Sequence, residues 1–306
     1  MIVDFGIRLS RYPDDPAEDP HAYYERTLNS LSEHITTVWL SDHLQKGDSP
    51  NFESWVLMAH LAGLYPRFSY SHLVNCQSYR NPALLAKMGA TMQHLTGGKF
   101  ILSLGAGWHK EEYDSYNFDF ATPRARVEQL AETIEIVRAL WTQSPATYHG
   151  KYYHIENAYC SPQPDPIPPI LVGTNGKKAL AVAARLADAW NWDFTMSAFE
   201  SAYRVLKQEC DAIGRDVGEI RLTLGGRAHF PRDPSEFVPA DTTAVDIAEA
   251  GYIVPVEPKL GPTPADAIKQ LRPFVKQGVC HFQIAFEDQR TIDRFCEEVA
   301  PQVAHL

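Results

Sequence analysis

The sequence predicts an α/β fold, a (β/α)₈ TIM barrel, on three observations. First, strand-like and helix-like segments alternate from end to end, eight of each, which is typical of parallel strands joined by helices. Second, several strand segments are nearly continuous apolar runs, such as residues 100–104 and 170–172, as expected of strands covered on both faces. Third, the helices begin at clear capping signals.

The apolar and alternating runs place the eight strands. The amino-terminal run of residues alternates like a first strand, and the rest follow at intervals that leave room for a helix between neighbours. We expect strands at 2–9, 35–41, 68–76, 99–106, 169–174, 187–192, 219–228 and 279–286.

Three helices carry an N-cap residue followed by proline at the first helical position, where its missing N–H costs nothing. These signals are Asn81-Pro82, Thr122-Pro123 and Thr263-Pro264, the last with Asp266 at the spacing of a capping box. We expect helices at 21–33, 52–63, 82–95, 124–142, 177–186, 197–213, 264–277 and 289–303.

The chain of 306 residues exceeds the ~250 residues of a plain barrel, and the excess lies in insertions. Segments 107–123 and 143–168 follow strand 4 on either side of its helix, and 229–262 follows strand 7. Such segments are usually lids or binding loops. No linker divides the chain, so one domain over 1–306 is expected. A doubly wound dinucleotide fold is disfavoured, because its G-x-G-x-x-G fingerprint is missing from the first strand–helix turn.

Composition restricts the class of partner. A formal charge of −10 argues against nucleic acid, whose phosphates need a basic face. Five widely spaced cysteines without a C-x-x-C motif are typical of a reducing compartment. Neither a signal peptide nor a run of 18 apolar residues occurs, so no membrane partner is expected. We expect a cytoplasmic protein that acts on a small molecule.

In a barrel the chemistry belongs at the carboxyl ends of the strands. Strand 2 is followed by Asp42 and His43, a pair suited to acid–base catalysis because a carboxylate can fix the imidazole tautomer. The alternative is a capped turn beside a solvated histidine. In strand 3, His72 could reach the barrel mouth or equally be a core residue, and Arg80 could contact an anion.

Strands 4 and 5 end in glycine-rich turns. Gly105, Ala106 and Gly107 would let a flat ligand approach the backbone, with Trp108 as a wall. The segment 173–178 precedes a helix directly, so its N–H groups and two lysines could cradle an anion. The alternatives are tight turns with solvated lysines. The cradle residues are Gly173, Thr174, Asn175, Gly176, Lys177 and Lys178.

No metal centre is predicted. The histidines 43, 72, 109 and 229 could in principle converge at the barrel mouth, but no compact His/Asp set or His-x-His strand is present. The Gly-x-Ser-x-Gly elbow of serine hydrolases is also absent.

Taken in order, several segments carry a family resemblance. The longest of them runs from residue 79 to 108 and contains Tyr79-Arg80-Asn81-Pro82 and His94-Leu95-Thr96-Gly97-Gly98-Lys99. The others are residues 39–43, 140–153, 168–173, 187–191 (Ala187-Asp188-Ala189-Trp190-Asn191) and 263–299. Together they resemble the bacterial luciferase-like oxidoreductase and monooxygenase superfamily, in particular its deazaflavin (coenzyme F420)-dependent branch.

The resemblance implies a flavin-type ring at the barrel mouth. It implies a non-proline cis peptide at His72–Leu73 or Leu73–Val74 that supports the ring, a phosphate site near the cradle, and a role for His43 in moving the substrate proton. Asn191 belongs to the cofactor-binding set that the resemblance implies. A homodimer and, for the flavin alternative, a separate cofactor reductase are also implied.

One departure from the family pattern matters for the substrate. Deazaflavin-dependent sugar-phosphate dehydrogenases have an acidic residue after the strand-4 glycines, where this chain has Trp108, so sugar-phosphate oxidation is not expected. We therefore expect an oxidoreductase that transfers hydride between F420 and a small organic substrate, with Tyr79, Trp108, Trp190 and Trp192 as an apolar wall. The alternatives are an FMN-dependent monooxygenase that uses dioxygen and a non-catalytic flavin-binding relative.

Overall fold

A computed structural model describes residues 2–45, 47–193, 196–239, 245–247, 252–254 and 259–306. Eight parallel strands form its centre, and the third of them is broken into two segments. In chain order they are β1 Asp4–Arg8, β2 Ile35–Leu40, β3 Ser69–His72 with a second segment Asn75–Cys76, β4 Leu102–Gly105, β5 Ile170–Gly173, β6 Ala189–Asp193, β7 Arg221–Ala228 and β8 Val279–Phe286.

The strand order confirms the predicted TIM barrel. The sheet runs β3-β2-β1-β8-β7-β6-β5-β4, and β4 pairs in turn with the second segment of β3. The segment Ser69–His72 pairs instead with β2, and a single bridge joins Tyr70 to Phe100. The sequence predicted a third strand over 68–76, and the structure shows that its two halves pair with different neighbours. This break is where the barrel closes.

Helices follow the strands as expected. They are α1 Pro20–Asn29, α2 Ser54–Leu64, α3 Pro82–Leu95, α4 Pro123–Thr142, α5 Lys177–Leu186, α6 Met196–Ile213, α7 Pro264–Lys276 and α8 Gln289–Arg294, which continues through a π-helical turn to Val303. α1 ends four residues earlier than the predicted 33, since Ser30 already caps it. Differences of one or two residues elsewhere are within the fraying of helix ends.

The three predicted caps are present. Asn81 Oδ1 accepts hydrogen bonds from the N–H groups of Ala83 and Leu84 at 2.9 and 3.3 Å. Thr122 and Thr263 accept from the N–H groups of the residues three positions further on, both at 3.3 Å. Each cap stabilises its helix by about 1 kcal/mol, because it satisfies N–H groups that have no partner within the helix.

The insertions have structure of their own. The segment after β4 forms a short helix, Lys110–Ser115, and the segment after α4 forms an antiparallel hairpin of Ala146–His149 and His154–Ala158. In the insertion after β7, Lys259–Leu260 pairs with the end of β7. Residues 240–244, 248–251 and 255–258 of that insertion lie outside the described residues.

Two apolar layers hold the fold together. Trp39, Leu171 and Ala189 fill the barrel interior, and a much larger layer lies between the barrel and its helices. Trp141 of α4 is buried there and donates a hydrogen bond to the carbonyl of Ala86 in α3 at 2.8 Å. The helices of the described part of the chain are all too short or too polar to cross a membrane.

Candidate active site

A cavity of about 390 Å³ opens at the carboxyl ends of the barrel strands. Most of the predicted site residues line it: Asp42, His43, Leu73, Val74, Tyr79, Gly105, Ala106, Gly107, Trp108, Gly173, Thr174, Gly176, Asn191 and Trp192. Residues that the sequence did not assign to a cofactor or substrate site complete the lining: Arg8, Asn75, Cys76, His109, Glu112, Pro123, Arg126, Val127 and Ala179.

The carboxylate partner of His43 is Glu112, from the short helix of the first insertion. His43 Nδ1 lies 2.9 Å from Glu112 Oε2, which also accepts a hydrogen bond from the Tyr79 hydroxyl at 2.9 Å. The other oxygen, Oε1, accepts from the backbone N–H groups of Leu44 and Gln45 at 2.6 and 3.1 Å. Glu112 therefore fixes both the imidazole and the loop that carries it.

Glu112 is ionised. Burial by itself would raise the pKa of its carboxyl, but the hydrogen bond and charge of His43, with hydrogen bonds from Gln45 and Tyr79, lower the pKa to about 2. An ionised carboxylate can only accept hydrogen bonds, so Nδ1 of His43 must carry a proton and donate. In the neutral imidazole, Nε2 is then the nitrogen that can accept a proton.

Asp42 does not have the role that the sequence predicted. Its buried carboxylate pairs with Arg80 at 2.7 Å and accepts hydrogen bonds from the Ser54 hydroxyl and the Cys76 N–H. None of these contacts is to His43, so Asp42 does not orient the histidine beside it. Arg80, expected as an anion contact, is bound to Asp42 and Glu53 instead.

A second histidine contacts the same carboxylate. His109 Nδ1 lies 3.2 Å from Glu112 Oε2 without forming a hydrogen bond, and its ring centroid is 5.5 Å from that of His43. Trp108 packs against both rings, with centroids 5.6 Å from His43 and 4.9 Å from His109. The first insertion thus brings Trp108, His109 and Glu112 to the cavity.

The cis peptide is at Leu73–Val74, one of the two positions predicted. It lies between the two segments of β3 and places the Val74 side chain between β4 and β5. A Cβ added to Gly105 would lie 2.6 Å from Val74, and one added to Gly173 would lie 2.8 Å from it. These two glycines therefore make room for Val74, whereas the sequence predicted that the strand-4 glycine makes room for a ligand.

Glycine is required at position 107 for a different structural reason than at position 105. Its φ of +79° is in the left-handed region, and an added Cβ would collide with the Tyr113 hydroxyl and the Cys76 thiol. Tyr113 and Cys76 contact each other at 3.0 Å. Burial raises the pKa of Cys76 to about 12, so this cavity-lining thiol is neutral.

The predicted anion cradle lies at the N-terminal end of α5. Gly176 caps the helix without a side-chain hydrogen bond, and an added Cβ there would meet no atom within 4 Å. Gly176 and Thr174 line the cavity, whereas Lys177 and Lys178 are exposed and do not. The positive charges in the lining come from Arg8 and Arg126.

Three predicted site residues lie away from the cavity lining. His72 is buried against Trp55, and burial, followed by the charge of Arg80, lowers its pKa well below the ordinary value, so it is a neutral core histidine. Trp190, expected in the substrate wall, is fully buried and donates to the carbonyl of Thr174 at 2.8 Å. Asn175 is half-buried beside the cavity.

Trp192 is the aromatic residue of β6 that faces the cavity. Its side chain is 5% exposed, and its indole N–H has no hydrogen-bond partner among the described residues. Asn191, also in the lining, accepts a hydrogen bond from the Thr223 hydroxyl at 2.9 Å. A buried donor without a partner leaves Trp192 available to a bound molecule.

Comparison with known proteins gives one family throughout. The luciferase-like monooxygenase family matches residues 35–240. An F420-dependent glucose-6-phosphate dehydrogenase from Kineococcus radiotolerans is 25% identical over 299 residues, which is 87% of this chain and 88% of the relative. A pyrimidine monooxygenase, RutA, from Enterobacter cloacae is 31% identical over 182 residues, covering 57% of this chain and 49% of the relative.

Solved structures share the fold. An F420-dependent secondary alcohol dehydrogenase, in complex with an F420–acetone adduct, superimposes with a TM-score of 0.80 at 19% identity over 99% of both chains. An EDTA monooxygenase from Chelativorans gives a TM-score of 0.77 at 15% identity, covering 100% of this chain and 94% of that one.

Proposed function

Since the chain belongs to the luciferase-like monooxygenase family, we propose that it is an F420-dependent oxidoreductase of a small organic substrate. The observation that carries the proposal is the His43–Glu112 pair at the cavity, since it supplies a histidine with a fixed tautomer where a substrate would bind. Relatives of the chain include an F420-dependent glucose-6-phosphate dehydrogenase and pyrimidine monooxygenases, so the chain is a luciferase-like oxidoreductase.

The cavity residues fit a planar cofactor with a phosphate. The open N-terminus of α5 at Gly176 offers N–H groups that suit the phosphate, and Thr174 adds a hydroxyl. Leu73, Val74 and Ala106 provide an apolar surface for the ring. Arg126 adds positive charge to the lining of an otherwise acidic protein.

When bound, a deazaflavin supplies a two-electron hydride carrier. The proton is handled by the chain's own groups: His43 Nε2 takes the proton that the substrate releases on oxidation, or returns it on reduction. Glu112 stabilises the imidazolium that results, because its negative charge lies 2.9 Å from Nδ1. Trp108 and Trp192 add aromatic surface to the lining.

An FMN-dependent monooxygenase remains the second candidate. The observation in its favour is that the RutA relatives reach 30 to 31% identity, although this chain covers only about half their length. The F420-dependent relative is less similar but matches along most of both chains. Sugar phosphates are not proposed as substrates, because Trp108 follows the strand-4 glycines.

Titration of the purified protein with F420 and, separately, with FMN tests the proposal. Tight F420 binding with weak FMN binding supports it, and the reverse preference favours the monooxygenase. Binding of neither cofactor would contradict both enzyme assignments. If F420 or FMN binds but no substrate is turned over, the chain would be a non-catalytic, flavin-binding member of the family.

A matched pair of variants tests the phosphate site. Gly176→Asp and Gly176→Asn add side chains of the same shape into open space, and both residues are good N-caps. Only Asp adds a negative charge beside the cofactor phosphate. We expect Gly176→Asp to weaken cofactor binding and Gly176→Asn to leave it close to wild type; equal effects would place the phosphate elsewhere.

A further inference from the structure

We propose that His43, His109 and Glu112 form a binding site for one divalent transition-metal ion of the zinc class. Among the residues that the structure describes, these three are the one group of at least three histidine, cysteine or carboxylate side chains whose ligand atoms all lie within 4.8 Å of one another. The sequence did not predict the site, because its members are separated in the chain and come from two elements.

The distances match those of a metal site. Two ligands bound at ~2.0–2.1 Å to a tetrahedral zinc ion lie about 3.3 Å apart. The Nδ1 atoms of His43 and His109 lie 2.9 and 3.2 Å from the same oxygen, Glu112 Oε2. Each imidazole nitrogen therefore needs to move from the carboxylate oxygen by only a few tenths of an ångström to reach this spacing, and all three ligand atoms lie within 4.8 Å of one another.

An unsatisfied atom gives independent support. Nδ1 of His109 is buried, lies near the carboxylate and yet makes no hydrogen bond. Buried polar atoms normally have a partner, and one without it often marks a binding position. A bound cation would satisfy this nitrogen.

The surroundings hold the ligands in place. Glu112 Oε1 is fixed by the N–H groups of Leu44 and Gln45, and the Tyr79 hydroxyl donates to Oε2. Such outer contacts orient metal ligands and raise affinity. His109 and Glu112 also have the i, i+3 spacing that places two side chains on one side of a helical turn.

The donor set selects the class of ion. Two imidazoles and one carboxylate suit zinc, cobalt or nickel, whereas magnesium and calcium prefer oxygen ligands alone. Three protein ligands leave a fourth position for water or a substrate group. All three side chains line the cavity.

Metal binding would stop proton transfer, a consequence that rests on the proposed function. With Nδ1 bound to the ion, the ring proton of His43 is on Nε2, so that nitrogen can no longer accept a proton. We expect Zn²⁺ to inhibit turnover and a chelator to restore it.

Titration of the cofactor-free protein with Co²⁺, followed by visible absorption, tests the site directly. We expect one equivalent to bind with the intense bands of a four- or five-coordinate ion. His109→Ala and, as a second variant, His109→Gln should weaken binding at least about tenfold, since loss even of an outer partner costs ~10–100-fold. His149→Ala is the control, because His149 forms an exposed pair with Glu156 at 3.2 Å.

Undiminished Co²⁺ binding by both His109 variants would overturn the proposal, as would its loss in His149→Ala. Circular dichroism checks that each variant is folded. Co²⁺ binding as expected without inhibition by Zn²⁺ would refute the role of His43 in proton transfer and leave the metal site standing. Failure to bind Co²⁺ would refute the metal site and leave the proposed oxidoreductase untouched.

Discussion

The carboxylate of Glu112 makes four hydrogen bonds, to one imidazole, one phenol and two backbone N–H groups. This arrangement gives one residue two effects, since the same side chain orients His43 and orders the loop on which His43 lies. The orientation of His43 and the local stability of its loop therefore depend on the same group.

The ionisation of Glu112 makes the protein's stability depend on pH. Its pKa is about 2 in the folded protein against an ordinary 4.5, so it stabilises the fold above pH 4.5, and this stabilisation is lost as the pH falls from 4.5 towards 2. Glu112→Gln should lower the free energy of unfolding at pH 7 by on the order of 2 to 3 kcal/mol, and the difference should shrink below pH 4.5.

Urea unfolding of both proteins across this pH range measures the effect. Glu111→Gln is the matched control, because Glu111 is exposed on the same helix, and we expect it to change stability little. A difference between wild type and Glu112→Gln that does not vary with pH would mean that the charge of Glu112 contributes nothing.

His43→Ala tests the proton-transfer role. Removal of a general acid–base group typically costs ~10²–10⁴-fold in rate, whereas no described contact assigns His43 to the phosphate site. We expect turnover to fall in this range and cofactor affinity to change little. Steady-state kinetics and a separate binding titration distinguish the two, and surviving turnover would exclude His43 as the proton carrier.

At the scale of elements, the sequence predicted every barrel strand and helix, because burial on both faces leaves continuous apolar runs and because caps are local signals. The resemblance implied the cis peptide within β3, but not that the two halves of β3 pair with different strands. The pairing of each half is decided by contacts between distant strands, and the order of apolar residues within one segment does not indicate which strand will be its hydrogen-bonded neighbour. The two glycines that admit Val74 come from β4 and β5, 31 and 99 residues further along the chain.

The site could be predicted only where its residues follow the strands directly. The end of β2 and the start of α5 were predicted in this way, whereas the position of the cis peptide was implied by the family resemblance. Glu112 was missed because it lies 69 residues from His43, in an insertion whose path the pattern does not define. Asp42 was assigned its role because it is adjacent in sequence, although its carboxylate is bound to Arg80, Ser54 and Cys76 and not to His43.

Gly105→Ala tests the packing of β3 between β4 and β5. The new methyl group would lie 2.6 Å from Val74 Cγ2, so we expect destabilisation of about 1–3 kcal/mol. Adding Val74→Ala should relieve part of it, giving a double-mutant cycle with a clear interaction energy. Gly176→Ala, in open space, should be nearly neutral. Purely additive effects at 105 and 74 would contradict the predicted collision.

At the scale of the whole molecule, one surface feature supports the homodimer that the sequence predicts. α2 contains no charged residue, and its exposed positions have the i, i+3, i+4, i+7, i+8 spacing of a single helical face. Val56 and Leu64, at its two ends, are 72% and 55% exposed. The residues of this apolar stripe are Val56, Ala59, His60, Gly63 and Leu64.

An exposed apolar face of this kind is typical of a protein–protein interface. In a homodimer, a second copy of the chain would cover it. We expect sedimentation to give a dimer for the wild type and a monomer for Val56→Glu. Ile213→Glu is the control, because Ile213 is 53% exposed at the end of a different helix, α6. A wild-type monomer, or dissociation caused equally by both variants, would contradict the assignment of the stripe.

The start of α2 lies at the cavity wall, since the Ser54 hydroxyl donates to Asp42, which lines the cavity. One helix, α2, thus connects the cavity with the apolar stripe. If a second copy covers that stripe, dilution of the protein removes a lateral support from the pocket. The specific activity would then fall as the enzyme is diluted, because each subunit would be less active without its partner.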